Sequence, residues 1–244
     1  MPPLPQSGGE GRRRKAALRR RRGISLVETV VVLAVGTILI LLSSAALSKL
    51  SSRAQNVQCF STLRALGAAI SLYSLDHGGE FPRSLHSAAG AGTLPWGKAV
   101  LPYLGLCQNP ADAEWERLFQ THYRCPSDKN TGSSLWSYAL NVHFELTPDG
   151  DDYEGSPQTW RRLSQVPRPA ATILLAEPKA VHYADHIMCH QWTGTKGAAN
   201  AIHQSRHGKT SNYLFVDGHV EPLSVGSTFD PKKGVNRWNP SLAK

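Results

Sequence analysis

The chain has 244 residues, 41% of them hydrophobic and 8% aromatic, which is ordinary for a folded protein and enough for one or two domains with a real core. A net charge of +9 points at first to nucleic acid, because Lys and Arg that neutralise phosphates supply most non-specific affinity. The distribution excludes that partner: residues 1–23 alone carry +7, from eight basic side chains (Arg12, Arg13, Arg14, Lys15, Arg19, Arg20, Arg21, Arg22) against Glu10, and the rest of the chain sums to +2. A basic cluster directly before an apolar run is what the positive-inside rule expects of the cytoplasmic flank of a membrane segment.

That run, residues 24–42, holds 19 residues with a single charge, Glu28. A bilayer core of ~30 Å needs about 20 helical residues, so the segment is long enough to span. Two alternatives read it as a cleaved export signal: a secretory signal ending at Ser44-Ala45-Ala46, or a twin-arginine signal at Arg21-Arg22. The run is longer than the roughly 7–15 residues of a signal-peptide core and carries an acid that such cores lack. From Leu47 the apolar positions Leu47, Leu50, Ala54, Val57, Phe60, Leu63, Leu66, Ile70 and Tyr73 recur every three or four residues, the stripe of an amphipathic helix. Gly78-Gly79 and Pro82 stop it, which predicts one helix over residues 24–77, about 80 Å long.

Gly23-Ile24-Ser25-Leu26-Val27-Glu28 and the apolar span after it resemble the class III signal of type IV pilins and type II secretion pseudopilins: a glycine, a hydrophobic residue, and glutamate at the fifth mature position. The resemblance implies that a prepilin peptidase cuts between Gly23 and Ile24 on the cytoplasmic face and methylates the new N-terminus at Ile24. It also implies that Glu28 meets the α-amino group of a neighbouring subunit during filament assembly. Elementary energetics agree that Glu28 needs a reason, because a carboxylate at membrane depth costs on the order of 2.5–3.5 kcal/mol. The competing reading is that Glu28 sits close enough to the interface to be hydrated. One departure stands out: Ala45-Ala46-Leu47-Ser48-Lys49-Leu50 occupies the place where many pilin-like helices carry a proline. Without the lost hydrogen bond that proline brings, the helix is expected to be straighter at Ala45, with Gly36 the remaining weak point of the span.

Residues 78–110 read as a long connection with one short helix, and residues 111–121 as a helix with Trp115, Leu118 and Phe119 on one side. Strands are predicted at 137–141, 172–176, 213–216 and 219–223, and the acidic stretch 148–157 as an exposed loop. Asp217-Gly218 between two β-rich runs predicts a two-residue hairpin turn. His207, nine residues, then Asp217-Gly218 resembles an element at the C-terminus of a large subgroup of prepilin-type proteins. Gln58-Cys59, the segment from Leu63 to Gly67, residues 76–82 and Arg124-Cys125-Pro126-Ser127-Asp128 resemble the same subgroup.

His207, Asp217 and His219, with His203, His182, Asp185 and His190, are residue types that bind divalent ions, but their spacing fits no compact ligand motif. Asp149, Asp151 and Asp152 supply oxygens without a recognisable calcium loop. The simpler expectation is that Asp217-Gly218 make a turn, His207 hydrogen-bonds a loop, and no metal or other cofactor is involved. No nucleophile–base signature points to an enzyme. The four cysteines allow three full pairings if the domain lies outside the cytoplasm; Cys107 with Cys125, 18 residues apart, is the expected disulfide, and Cys59 is expected to pack as a free thiol on the helix.

The sequence therefore predicts a pilin-like α+β protein: a cleaved leader (1–23), the membrane-spanning half of a long helix (24–46), its amphipathic half (47–77), and a globular domain (78–244) with a small antiparallel sheet packed on that helix. The resemblance implies a pilus or pseudopilus subunit, single-pass in the inner membrane with its domain outside the cytoplasm. Its partners are the peptidase, sibling subunits and inner-membrane lipid, and nucleic acid is excluded. The rival is an anchored periplasmic binding module that uses the signal and never polymerises.

Overall fold

The computed structural model describes residues 23–129, 135–145, 160–179 and 184–244, with backbone alone at Ala45 and Ala46. The basic leader up to Arg22, His182, and the acidic stretch with Asp149, Asp151 and Asp152 lie outside the described residues. The chain falls into two units, one ending at Leu47 and one comprising Ser48–Lys244.

Helix α1 (Leu26–Asp76) runs through both and is continuous at Ala45. It ends where predicted. The Gly79 amide donates back to Ser74 O at 2.7 Å, and Gly78 and Gly79 hold φ of +64° and +87°, a left-handed turn that a side chain would strain. Between residues 78 and 110 three short helical pieces replace the single one expected: α2 (Leu85–Ala91), α3 (Trp96–Ala99) and a 3₁₀ turn at Leu101–Leu104. Helix α4 (Asp112–His122) follows. Then come β1 (Ala139–Asn141), β2 (Ile173–Ala176), β3 (His186–Ile187), α5 (Thr195–Ala201), β4 (Ser211–Phe215), β5 (Val220–Leu223), α6 (Val225–Thr228), β6 (Phe229–Asp230) and β7 (Val235–Asn236).

The main sheet has the order β3-β1-β2-β4-β5, and β6 pairs with β7 in a small separate ribbon. Three of its four pairings are antiparallel, but β1 and β3 run parallel, so the sheet is mixed and not wholly antiparallel as predicted. The physical reason is local: β3 is a two-residue strand held beside β1 by the Leu140 amide donating to Asp185 O at 2.8 Å, too short to leave a periodic signal.

Alternation along the strands sends side chains to two opposite faces. Leu140, Leu174, Leu175, Leu214 and Val216 join α1 residues Cys59, Leu63, Leu66 and Ile70 in one core. Ala139, Ile173, Ala176, Tyr213 and Phe215 join Ala198, Ile202, Phe229 and Trp238 in a second. Leu174 and Leu175 both enter the first core because the β2–β4 register shifts at this point, a bulge that turns two successive residues to one side. Gly67 is the contact point of helix and sheet, since a Cβ built there would lie 2.8 Å from Leu214 Cδ1.

The buried face of α1 is narrower than the predicted stripe. Leu63, Leu66 and Ile70 are buried, and Cys59 joins them, whereas Leu47, Leu50 and Val57 are exposed. At about 100° per residue, Leu50, Ala54 and Val57 point roughly opposite to Leu63, so spacings of three and four had joined two different faces into one stripe.

Candidate functional site

The chemistry-bearing residues fall into two groups, one in each unit. Gly23 and Ile24 are exposed and precede α1 outside any regular element. Ser25 caps the helix: its Oγ accepts the Glu28 amide at 3.1 Å, and its carbonyl accepts the Thr29 amide at 3.1 Å. Glu28 is exposed in the first turn, where a carboxylate also favours the positive end of the helix dipole. Ser25-Leu26-Val27-Glu28 has the spacing of a capping box, a local signal already present in the sequence. None of the most apolar 18-residue window of α1 is buried, and the helix is long and apolar enough to cross a membrane.

In the second unit the strongest polar assembly lies where α1, β2 and the start of β4 converge. Cys125 is disulfide-bonded to Cys59, with Cα atoms 5.3 Å apart, and not to Cys107, which is a free, exposed thiol. Sequence separation misled here. Cys59 and Cys125 lie 66 residues apart, and packing of α1 on the sheet brings them together, whereas the Cys107 loop stays at the surface. Cys189 is a free, buried thiol whose Sγ–H donates to Asn141 Oδ1 at 3.0 Å.

His207 sits beside the disulfide, its Nε2 3.6 Å from Cys125 Sγ and 2.8 Å from Glu177 Oε1. Glu177 Oε2 accepts the Asn212 amide at 2.9 Å. His207 is expected to hydrogen-bond a loop, and its partner is Glu177, the residue directly after β2, in a pairing whose two side chains are fully buried. Next to it Arg206, equally buried, meets Asp128 Oδ2 at 3.1 Å and donates to the carbonyls of Ser137 (2.7 Å) and Pro178 (2.8 Å). Asp128 also accepts from Ser137 Oγ at 2.7 Å. A groove of about 950 Å³ opens over this assembly, lined among others by Arg53, Asn56, Lys129, Lys179, Arg206 and His207.

Asp217 does not join His207, because β4 separates them. The hairpin turn is one residue longer than predicted: the Gly218 amide donates to Phe215 O and the Phe215 amide to His219 O, both at 2.9 Å, leaving residues 216–218 as the loop. Gly218 takes the left-handed position at φ +91°, and Asp217 Oδ1 accepts the His219 amide at 3.1 Å, an Asx-type brace of the turn. The other candidate ligands have partners elsewhere. His203 Nδ1 accepts the Ser205 amide at 3.3 Å, and Asp185 bonds the Leu85 amide at 2.9 Å and His186 Nδ1 at 3.0 Å.

His143, buried in the 3₁₀ turn after β1, faces His190 with ring centroids 6.5 Å apart. Burial, and then the charge of His190, push its pKa down to about 4. Since the unfolded imidazole titrates near 6.5, the unfolded chain binds the extra proton below that pH. The stability tied to neutral His143 is therefore complete above about pH 6.5 and lost as pH falls towards 4, on the order of 3 kcal/mol. Denaturant unfolding of the full chain at pH 7 and pH 4.5 should show that loss, and His143→Gln should reduce it.

Residues 18–44 match the family model described as the prokaryotic N-terminal methylation motif. No curated protein and no solved structure matches the chain. The motif, the capped start of α1 and the exposed apolar surface behind it agree on one conclusion: the chain carries a prepilin-type signal on a long helix of an α+β, pilin-like fold, and the signal and helix together point to a membrane-anchored protein.

Proposed function

We propose that the protein is a structural subunit of a type IV pilus or type II secretion pseudopilus. It is cut between Gly23 and Ile24 by prepilin peptidase, methylated on Ile24, and assembled through α1. The match of the methylation motif over residues 18–44 carries this reading. Two features of α1 support it: its apolar N-terminal surface is exposed, and Leu50 and Val57 remain exposed on the face away from the core. Such surfaces are expected to be covered by sibling helices or lipid. The chemistry is done to this chain and not by it, and the domain faces away from the cytoplasm. The residues His207, Asp217 and Gly218 serve the fold in this reading: His207 anchors the start of β4 to Glu177, and Asp217-Gly218 close the hairpin at its end.

Glu28→Leu separates assembly from processing. Cleavage and membrane insertion should remain normal, while the chain disappears from sheared filament fractions, because the partner of the cleaved α-amino group is gone. Filaments at the unaltered level would remove Glu28 from assembly. A second reading, an anchored binding module that never polymerises, draws support from the cationic groove over Arg206 and His207. It expects the unaltered chain to be strictly monomeric in the membrane fraction.

A further inference from the structure

Four side chains of metal-ligand type, drawn from four separate places in the sequence, converge in the interior of the second unit. Cys59 of α1, Cys125 after α4, Glu177 after β2 and His207 before β4 bring their sulfur, oxygen and nitrogen atoms within 4.8 Å of one another. Among the described residues this is the one such group. All four are shielded from water: Cys59 and Cys125 are 0% and 2% exposed, and the side chains of Glu177 and His207 are 0% and 1% exposed.

We propose that in the dithiol state Cys59, Cys125, Glu177 and His207 form a binding site for one thiophilic divalent cation of the zinc class, and that the Cys59–Cys125 disulfide is the metal-free alternative of the same site. The donor set is two thiolates, an imidazole and a carboxylate, a combination suited to a closed tetrahedral site. With metal–sulfur and metal–nitrogen bonds of about 2.3 and 2.0 Å, a tetrahedron places the two ligand atoms about 3.5 Å apart. Cys125 Sγ and His207 Nε2 already stand 3.6 Å apart. His207 Nε2 and Glu177 Oε1, at 2.8 Å, need to separate by only about 0.5 Å to admit the ion between them. The sulfurs move from bonding distance to about 3.8 Å, a shift that rotation of the two cysteine side chains supplies.

Outer contacts favour the same arrangement. The Asn212 amide holds Glu177 Oε2 and fixes the carboxylate so that Oε1 faces the cluster. The groove lined by Asn56, Arg206 and His207 gives an entry path, and its cations balance the net negative charge that two thiolates and one carboxylate leave around a dication. On binding, two S–H protons leave, two sulfur–metal bonds form, and no electron moves. In the opposite direction the two metal-bound thiolates give two electrons to a small disulfide, whose S–S bond breaks and which takes two protons from solvent to leave as two thiols; the Cys59–Cys125 bond forms and the cation departs.

The test is anaerobic titration with Co²⁺ of the full chain in detergent, carrying Cys107→Ser to remove the exposed thiol, after reduction with a phosphine. The expected result is one Co²⁺ per chain, with a thiolate-to-cobalt charge-transfer band and tetrahedral visible bands, displaced by one equivalent of Zn²⁺. The oxidised chain gives no such bands, and Glu177→Gln or His207→Ala weakens binding at least tenfold. Because His207→Ala removes a buried side chain, the comparison of reduced with oxidised chain decides where that variant does not fold. The proposal is overturned by a reduced chain with native circular dichroism that binds no Co²⁺, by loss of structure on reduction that Co²⁺ does not restore, or by undiminished binding in folded Glu177→Gln.

Discussion

Cys59→Ser should lower the stability of the domain by about 4 kcal/mol, because the lost cross-link closes a loop of 66 residues in the unfolded chain. For a domain of this size that corresponds to roughly 10 °C in Tm, a large share of the 5–15 kcal/mol that holds ordinary domains together. Cys125→Ser should give the same loss, and the double variant little more, since either change removes the same bond. Cys107→Ser is the control: the residue is exposed and unbonded, so its replacement should stay within about 0.5 kcal/mol. Thermal unfolding of the full chain in detergent, with and without reductant, measures all four. A loss that follows Cys107 and spares Cys59 would restore the pairing that sequence separation favours.

Arg206→Met should cost about 3 kcal/mol. Its guanidinium and the Asp128 carboxylate are 0% and 2% exposed, and taking away one member of a buried pair leaves the other charged and desolvated. Two carbonyls, of Ser137 and Pro178, lose their donor in the same step. Arg124, 3.6 Å from the same carboxylate, softens the effect without replacing those two hydrogen bonds. Adding Asp128→Asn should recover part of the loss, because the stranded charge disappears with it. Urea midpoints of the two single variants and the double variant give the coupling directly, and strictly additive losses would show that the pair contributes nothing as a pair.

How far the sequence discloses this protein depends on the range of the interactions that shape each part. Helix α1 was legible because its signals are local: an uninterrupted apolar run and Gly78-Gly79 at the stop, with the Ser25 cap a further local signal that its sequence reading did not use. The four principal strands were legible for the same reason, each being a short β-rich run between turn residues. The second core was not. Its strand residues are joined by Ala198, Ile202, Phe229 and Trp238, which lie on short helices, two-residue strands and loops that carry no period. The Cys59–Cys125 bond and the Glu177–His207 pair escaped because both are contacts between elements distant in sequence. One sign of the latter was present: Glu177 follows directly on the wholly buried run of β2, a place where an acid needs a partner.

The N-terminal signal has the reverse character. Its residues are exposed and they make few contacts, so in the proposed function the meaning of Gly23, Ile24 and Glu28 lies in what another protein does to them. The most direct test is therefore covalent: mass spectrometry of the mature N-terminus of the chain recovered from the membrane of its own cell. An N-methylated Ile24 as the first residue is the predicted result. A chain that begins at Leu47, or one that keeps its arginine-rich leader, would contradict it.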